Sequence, residues 1–436
     1  MIASTSTTTT ILPEKKDKTK NQQHHWEQLL PPEESFLIMG IHPVSSLTWF
    51  EAPLDVERLR ERAAEILVAN PWLAGVLEKK GGNTGIAYSS IGSIEEARVK
   101  IAEKNLFNAF KPGEVEIYPD LQWEDQCKIC ESHPTMTLKQ WQEMMSADRA
   151  LWKISVFPTA DGKYVGMTFN VSHIVADGYT SYRLFGALLG EPVPSMIVKR
   201  RQDTIEKQAL LLGEKEARGM YGMESIAIGL RGEIGSSVLG RCFPNHWSNS
   251  IKTHEVDADK INRAKETEKG DAAFISTNDI LTSWFLKGNQ GFYYVNMRAK
   301  IADHSDDLAG NYENVVVLRK PDSATPELIR RSAKPLKRQV TLDQGWSNGE
   351  SISMMSCGRA RLITNMSSFY PKNVDPHFKV HYHGPMFRLP PTMAICILYN
   401  TGKPGRMGAF IHGSPSMHKT LDTTLYFVNK EQEEDF

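Results

Sequence analysis

The sequence predicts two similar α/β lobes, each a mixed sheet flanked by helices. Strand-like and helix-like stretches recur in both halves of the chain, which fits two packed layers of mixed secondary structure. A change of character from Met196 to Trp247, first charged and then Gly-rich and apolar, separates the halves. The 436 residues, 40% hydrophobic and 24% charged, suffice for about two to three domains with a real core. The expected layout is a disordered tail over 1–25 and an N-terminal lobe over 26–195. A crossover over 196–250 and a C-terminal lobe over 251–436 follow.

In chain order, Leu54 to Asn70 reads as an amphipathic helix. Asp55 is its N-cap, Val56, Leu59, Ala63 and Leu67 fall on one face, and Pro71 closes it. Trp152 to Phe157 and Tyr164 to Val171 read as strands joined by an Asp161-Gly162 turn. Tyr179 to Leu189 is a helix stopped by Gly190 and Pro192. In the crossover, Ile205 to Arg218 is helical, and Gly222 to Gly240 is a packed linker in preference to a cover over a lipophilic substrate. The second half opens on a capping-box-like start at Ser276 to Asp279, with a helix to about Lys287. Strands are expected at Gly291 to Met297, Glu313 to Leu318, Met393 to Tyr399 and Met407 to Ile411. Pro326 to Val340 is helical with an interruption at Pro335.

Charge and composition exclude several classes. Lys+Arg of 51 against Asp+Glu of 52 gives a net charge of -1, which argues against nucleic acid as a partner. The run Lys199, Arg200, Arg201 is the one candidate for a phosphorylated ligand, and its plainer reading is a solvated face. Cysteines at 127, 130, 242, 357 and 396 suggest reduced thiols and a cytoplasmic home. The N-terminus lacks the apolar region of a secretory signal, an organellar transit peptide being the weaker reading, and no apolar run is long enough to span a membrane. Cys127 and Cys130, with His133 after them, read as an incidental pair because no second ligand pair accompanies them. His381 and His383 alternate along a strand and would face one side, but no carboxylate partner marks a metal site. P-loop, GxGxxG and GxSxG patterns are absent, so nucleotide hydrolysis, dinucleotide binding and serine hydrolysis lack support.

One segment carries chemistry. Val171-Ser172-His173-Ile174-Val175-Ala176-Asp177-Gly178 leaves a strand and enters a helix, where a histidine can be held rigidly with its ring facing a cavity. A neutral imidazole there can accept a proton near neutral pH. The residues His173 to Gly178 resemble the HxxxDG signature of the CoA-dependent acyltransferase superfamily, which includes plant-type BAHD acyltransferases, chloramphenicol acetyltransferases and condensation domains. Further segments resemble that superfamily in the same order. They are Pro71 to Gly75 (P-x-L-A-G), Ser276 to Leu286, Val295 to Arg298 with Ala309 to Asn311 (V-D-x-R, F-G-N), and Thr364 to Ser368 (T-x-W).

The resemblance implies two chloramphenicol-acetyltransferase-like lobes with a channel between them. It also implies transfer of an acyl group from acyl-CoA, as co-substrate, to a small-molecule alcohol or amine. His173 would be the general base. Asp177 would bond to Arg298 and fix the loop, Gly178 would permit close approach, and Thr364 would bind the oxyanion. Asn311 would border the channel, and Asn314 is a turn residue on the plain reading. Ser172 in place of a first histidine favours the BAHD-like branch. Met366 stands where the family often has tryptophan, and Phe378 to Pro385 lacks the DFGWG motif. Two alternatives remain: a condensation-type domain fed by a carrier protein, and a catalytically silent binder of the same fold. A monomer is the default.

Overall fold

The computed structural model describes residues 23–31, 33–34, 43–138, 150–200, 203–213, 250–289, 291–301, 305–333, 335–341, 360–387 and 393–429. Residues 1–22 of the expected tail, Gly222 to Gly240 and most of the crossover lie outside them. The first half contains β1 (His24–Gln28), β2 (Val44–Glu51), α1 (Val56–Ala69), β3 (Val76–Lys80), β4 (Asn83–Ser89), α2 (Ile94–Glu103), β5 (Phe107–Ala109), α3 (Trp123–Ser132), β6 (Trp152–Pro158), β7 (Tyr164–Val171) and α4 (Gly178–Leu188). The second contains α5 (Thr204–Leu212), β8 (Ser250–Glu255), α6 (Ala258–Thr267), α7 (Thr277–Leu286), β9 (Gly291–Asn296), α8 (Arg298–Ile301), β10 (Glu313–Leu318) and α9 (Pro326–Ala333). It continues with β11 (Ala360–Asn365), β12 (Val380–Met386), β13 (Met393–Asn400), β14 (Met407–Gly413) and α10 (Pro415–Thr420). Among the described residues no helix is long and apolar enough to cross a membrane.

Local chemistry sets the ends of these elements. Asp55 accepts from Arg58 N at 2.9 Å and starts α1, and Ser276 with Asp279 forms a reciprocal capping box on α7. The helix expected as far as Val340 stops at Ala333, two residues before Pro335, whose ring and missing N–H end a helical ladder. Gly162 takes a left-handed φ of 69° in the turn between β6 and β7.

A five-stranded sheet in the order β12-β2-β7-β6-β5 forms the N-terminal lobe, and a six-stranded sheet in the order β10-β9-β11-β13-β14-β8 forms the C-terminal lobe. A small sheet, β1-β4-β3, flanks the first. Strand β7 is buried along its length from Val165, as a central strand between β2 and β6 must be. Along β2 the side chains alternate: Phe50 packs with the helical layer, while Leu47 and Trp49 face the second sheet. Phe292, Val315, Val317, Leu362, Ile395, Ile397 and Phe410 come from the facing side of the C-terminal sheet to meet them. The opposite side of that sheet packs on α6 and α7 through Ile363, Cys396, Leu398, Ile261 and Ile280. Each lobe thus has its own helical layer, and a third apolar core joins the sheets.

The chain does not divide cleanly between the sheets. After β11 it leaves the C-terminal sheet and adds β12 antiparallel to β2, with Gly384 opposite Leu47, before β13 returns. A bulge between Val380 and Tyr382 breaks the alternation expected for the two histidines of β12. His381 lies against the Tyr164 ring at 4.7 Å, whereas His383 is buried between Thr48 and Tyr182 at 2.8 and 2.9 Å. Its proton-bearing form is so disfavoured by burial that its pKa falls to about 3. Cys127 and Cys130 are buried core residues of α3, and no cluster of metal-ligating side chains occurs among the described residues.

Trp123 of α3 donates to Pro385 O at 3.0 Å and lies against Gly384, where an added Cβ would stand 2.7 Å from its ring. Gly384→Ala should therefore cost about 1–3 kcal/mol by overpacking. Urea unfolding measures this; an unchanged midpoint would show that β12 is not wedged against α3.

Candidate active site

The motif leaves β7 and is pinned at once. Ser172 N donates to Leu151 O at 2.8 Å, and Ser172 O accepts from Val175 N and Ala176 N at 3.1 and 3.2 Å. Asp177 then caps α4, accepting from Thr180 N at 2.9 Å. His173 sits inside this turn with 8% of its surface exposed.

Its tautomer follows from its neighbour. Asn311 Nδ2 donates to His173 O at 2.7 Å and to Glu33 Oε1 at 3.3 Å, so the Asn311 amide oxygen faces the ring. That oxygen lies 3.0 Å from His173 Nδ1 and can only accept. The neutral imidazole therefore carries its proton on Nδ1 and presents a lone pair at Nε2. Burial lowers the His173 pKa below its ordinary value, against the opposing pull of hydrogen bonds and of the Asp177 charge.

Asp177 turns away from His173. Arg298 donates to its two oxygens at 2.6 and 3.0 Å, a bidentate pair with side chains 0% and 2% exposed. The same guanidinium donates to Leu308 O, Gly310 O and Thr180 Oγ1 at 3.0, 2.8 and 2.9 Å. The rings of Tyr179 and Tyr312 lie over it at 4.6 and 5.1 Å. Burial alone would raise the Asp177 carboxyl, but Arg298 overrides it and holds it below the carboxylate range.

A second buried pair, absent from the sequence reading, backs Asn311. Glu33 and Arg200 meet at 3.0 Å with both side chains 0% exposed. Glu33 accepts from Asn311 N at 2.9 Å, and Arg200 donates to Val175 O and Ala309 O at 2.9 and 2.8 Å. Arg200 thus belongs neither to a solvated face nor to a phosphate patch; its charge is spent on the loops that carry His173 and Asn311. Asn314 faces the other way, donating to Gln208 at 2.6 Å.

His173 borders a cavity at the seam of the lobes with Val44, Phe169, Tyr182, Met366, Phe387 and Ile397. The cavity is narrow. Its free volume of about 20 Å³ is that of roughly one water, because the thioether and phenyl groups fill the seam. Met366 also explains Gly178, where an added Cβ would stand 3.0 Å from the methionine methyl. Thr364 lies on the seam-facing side of β11 with Leu362, in register with Ile397, but it is Met366 that lines the cavity among the described residues.

Glu313 is the other residue that the motifs did not single out. On β10 it shares the seam-facing side with Val315 and Val317, and its carboxyl stands 4.0 Å from His173 Nε2. Burial, then the Asp177 charge, pushes it up to about 8. The spacing of Asn311 and Glu313, two apart at a strand start, is the one sequence signal that could have flagged it.

Two measurements check this geometry. Asp177→Asn should strand the buried Arg298 and lower unfolding free energy by about 3–5 kcal/mol; unchanged stability would mean that the pair is energetically idle. In an NMR titration, the His173 ring resonance should move below pH 6.5, since the depressed pKa keeps it neutral further into acid. A midpoint above that value would contradict the burial effect.

Neither a protein-family model nor a curated protein matches the chain. Solved structures do. TRI101 of F. graminearum, complexed with ethyl coenzyme A, superposes with TM-score 0.58 at 11% identity over 94% of this chain and 99% of its own. The first condensation domain of the calcium-dependent antibiotic synthetase gives 0.56 at 13% over 93% and 94%. TRI3, the trichothecene 15-O-acetyltransferase of Fusarium sporotrichioides, gives 0.54 at 10% over 94% and 93%. At such identities the likeness is one of fold: the chain has the two-lobed α/β fold of these structures.

Proposed function

We propose that this protein transfers an acyl group from acyl-CoA to a hydroxyl or amine of a small molecule, with His173 as general base. The observation that carries this reading is the imidazole itself, held by Asn311 so that Nε2 offers its lone pair at the inter-lobe cavity. The acceptor X–H gives its proton to Nε2 as X attacks the thioester carbonyl. The tetrahedral oxyanion is met by a hydroxyl donor from β11, the role assigned to Thr364, a kind of contact typically worth about 3 kcal/mol. Collapse expels the CoA thiolate, which recovers the proton from the imidazolium, and no covalent enzyme intermediate forms. Asp177 and Arg298 act through geometry, by fixing the turn that carries the ring. Met366, unbranched and adaptable, can shift to admit reactants.

Support from the comparisons is of two kinds. TRI101 of F. graminearum has been solved with coenzyme A and T-2 mycotoxin together, which fits a donor and an acceptor meeting in such a fold. The condensation-domain likeness favours a second reading, in which a carrier protein delivers the acyl group. Saturable transfer from free acyl-CoA decides for the first reading; transfer only from a carrier-bound thioester decides for the second.

His173→Ala should lower thiol release from acyl-CoA in the presence of acceptor by about 10²–10⁴-fold while melting is unchanged. Full turnover in a folded variant would remove the imidazole from the mechanism.

A further inference from the structure

We propose that the acceptor carries, besides its nucleophilic group, a carbonyl or ether oxygen, and that Tyr182 binds this oxygen by donating a hydrogen bond. The proposal rests on the acyl-transfer reading above and adds the acceptor's chemistry and a specificity-determining residue. Tyr182, on α4, borders the same cavity as His173. Its hydroxyl lies 2.9 Å from His383 Nε2, and Thr48 Oγ1 lies 2.8 Å from Nδ1 of the same ring.

The hydrogens on these three groups can be counted. Burial keeps His383 neutral, so its ring carries one N–H. With the hydroxyls of Thr48 and Tyr182 there are three hydrogens for two contacts, and one hydroxyl hydrogen is left over. Thr48 is 0% exposed and does not border the cavity, so a hydrogen left there would be a buried donor without an acceptor, an arrangement that folded proteins avoid. Thr48 therefore donates to Nδ1, Nε2–H donates to Tyr182, and the spare hydrogen sits on the phenol at the cavity wall. The Tyr370 ring packs on His383 at 5.0 Å, but its buried hydroxyl makes no hydrogen bond and takes nothing from Tyr182.

Much of the wall around this donor is apolar, from Phe169, Phe185, Met366, Phe387 and Ile397. A ligand that excludes water there must satisfy the phenol itself: an oxygen does so, whereas a methylene in its place leaves the donor unpaired. Tyr182 and His383 belong to the helix and sheet of the N-terminal lobe, while the oxyanion donor assigned above comes from β11 of the C-terminal sheet. The phenol is accordingly given to the acceptor and not to the thioester.

Nitrogen-15 NMR of the histidine rings tests the hydrogen count. His383, identified through Thr48→Val, should carry its proton on Nε2. A proton on Nδ1 would mean that Tyr182 spends its hydrogen on His383, and would overturn the proposal whatever the protein transfers. Isosteric acceptor pairs with acetyl-CoA, read by thiol release and product mass, test the specificity. They are 4-methoxybenzyl alcohol against 4-ethylbenzyl alcohol, the two corresponding benzylamines, and 4-(hydroxymethyl)acetophenone against 4-isopropenylbenzyl alcohol. The oxygen-bearing member should have the higher kcat/KM by about 10-fold, chiefly through KM. Tyr182→Phe should erase that preference, and Tyr370→Phe should keep it. A preference lost instead in a variant of another cavity hydroxyl, Ser46→Ala, would count against Tyr182. Calorimetry repeats the comparison without turnover, on the wild type as well as the variants. Equal binding within every pair, or binding of none, would refute the proposal. Turnover surviving His173→Ala would sink the acyl-transfer reading and leave the Tyr182 contact standing.

Discussion

Everything at the candidate site hangs on the buried contact between Asp177 and Arg298. A carboxylate and a guanidinium have been taken out of water, and only their bidentate match, with the backbone donors and carbonyls around them, makes that tolerable. One end of the pair belongs to the helix that follows the motif, and the other belongs to the C-terminal lobe. Because Arg298 also grips the carbonyls of Leu308 and Gly310, the loop that presents Asn311 is fixed by the same charge that fixes the motif turn. Two lobes are thereby locked at the point where a proton acceptor is displayed.

A second ion pair does the same from the other side. Glu33 and Arg200 are as thoroughly buried, and they hold the backbone of Val175, Ala309 and Asn311. The consequence for chemistry is indirect but definite. With Asn311 Nδ2 turned onto oxygen acceptors, its own oxygen is left to the imidazole, and the ring's free lone pair is placed at Nε2. Desolvation then keeps that lone pair available by disfavouring the protonated ring. The same desolvation has the opposite consequence for Glu313, whose neutral form it favours. One low-dielectric seam thus favours the neutral form of both groups, leaving the imidazole able to accept a proton and the carboxyl holding one.

The sheets explain why the seam exists. Strand β12 breaks out of the C-terminal half to extend the N-terminal sheet, so separating the lobes would also require unzipping β2 from β12. Aromatic and aliphatic side chains from both inner faces fill the gap, leaving a narrow cavity in place of an open passage. Met366, over Gly178, is the adaptable part of that filling.

Residue order alone determined the local part of this protein. Caps at Asp55 and Ser276, the Asp161-Gly162 turn, the strand–turn–helix around His173 and most second-half strands follow from propensity and periodicity, which act over a few residues. The HxxxDG pattern with its ordered companions pointed to His173, Asp177, Arg298 and Asn311, and their side chains meet. Glu33, Arg200 and Glu313 were illegible because their meaning lies in partners far along the chain, Glu33 and Arg200 being 167 residues apart. Thr364 was singled out by motif and lies on the seam-facing side of β11, but of the two it is Met366, just beyond the strand, that lines the cavity among the described residues. Burial, tautomer and the placing of β12 in the other lobe's sheet were settled by tertiary structure, because charge pairing and desolvation depend on distance in space and not on position in the chain.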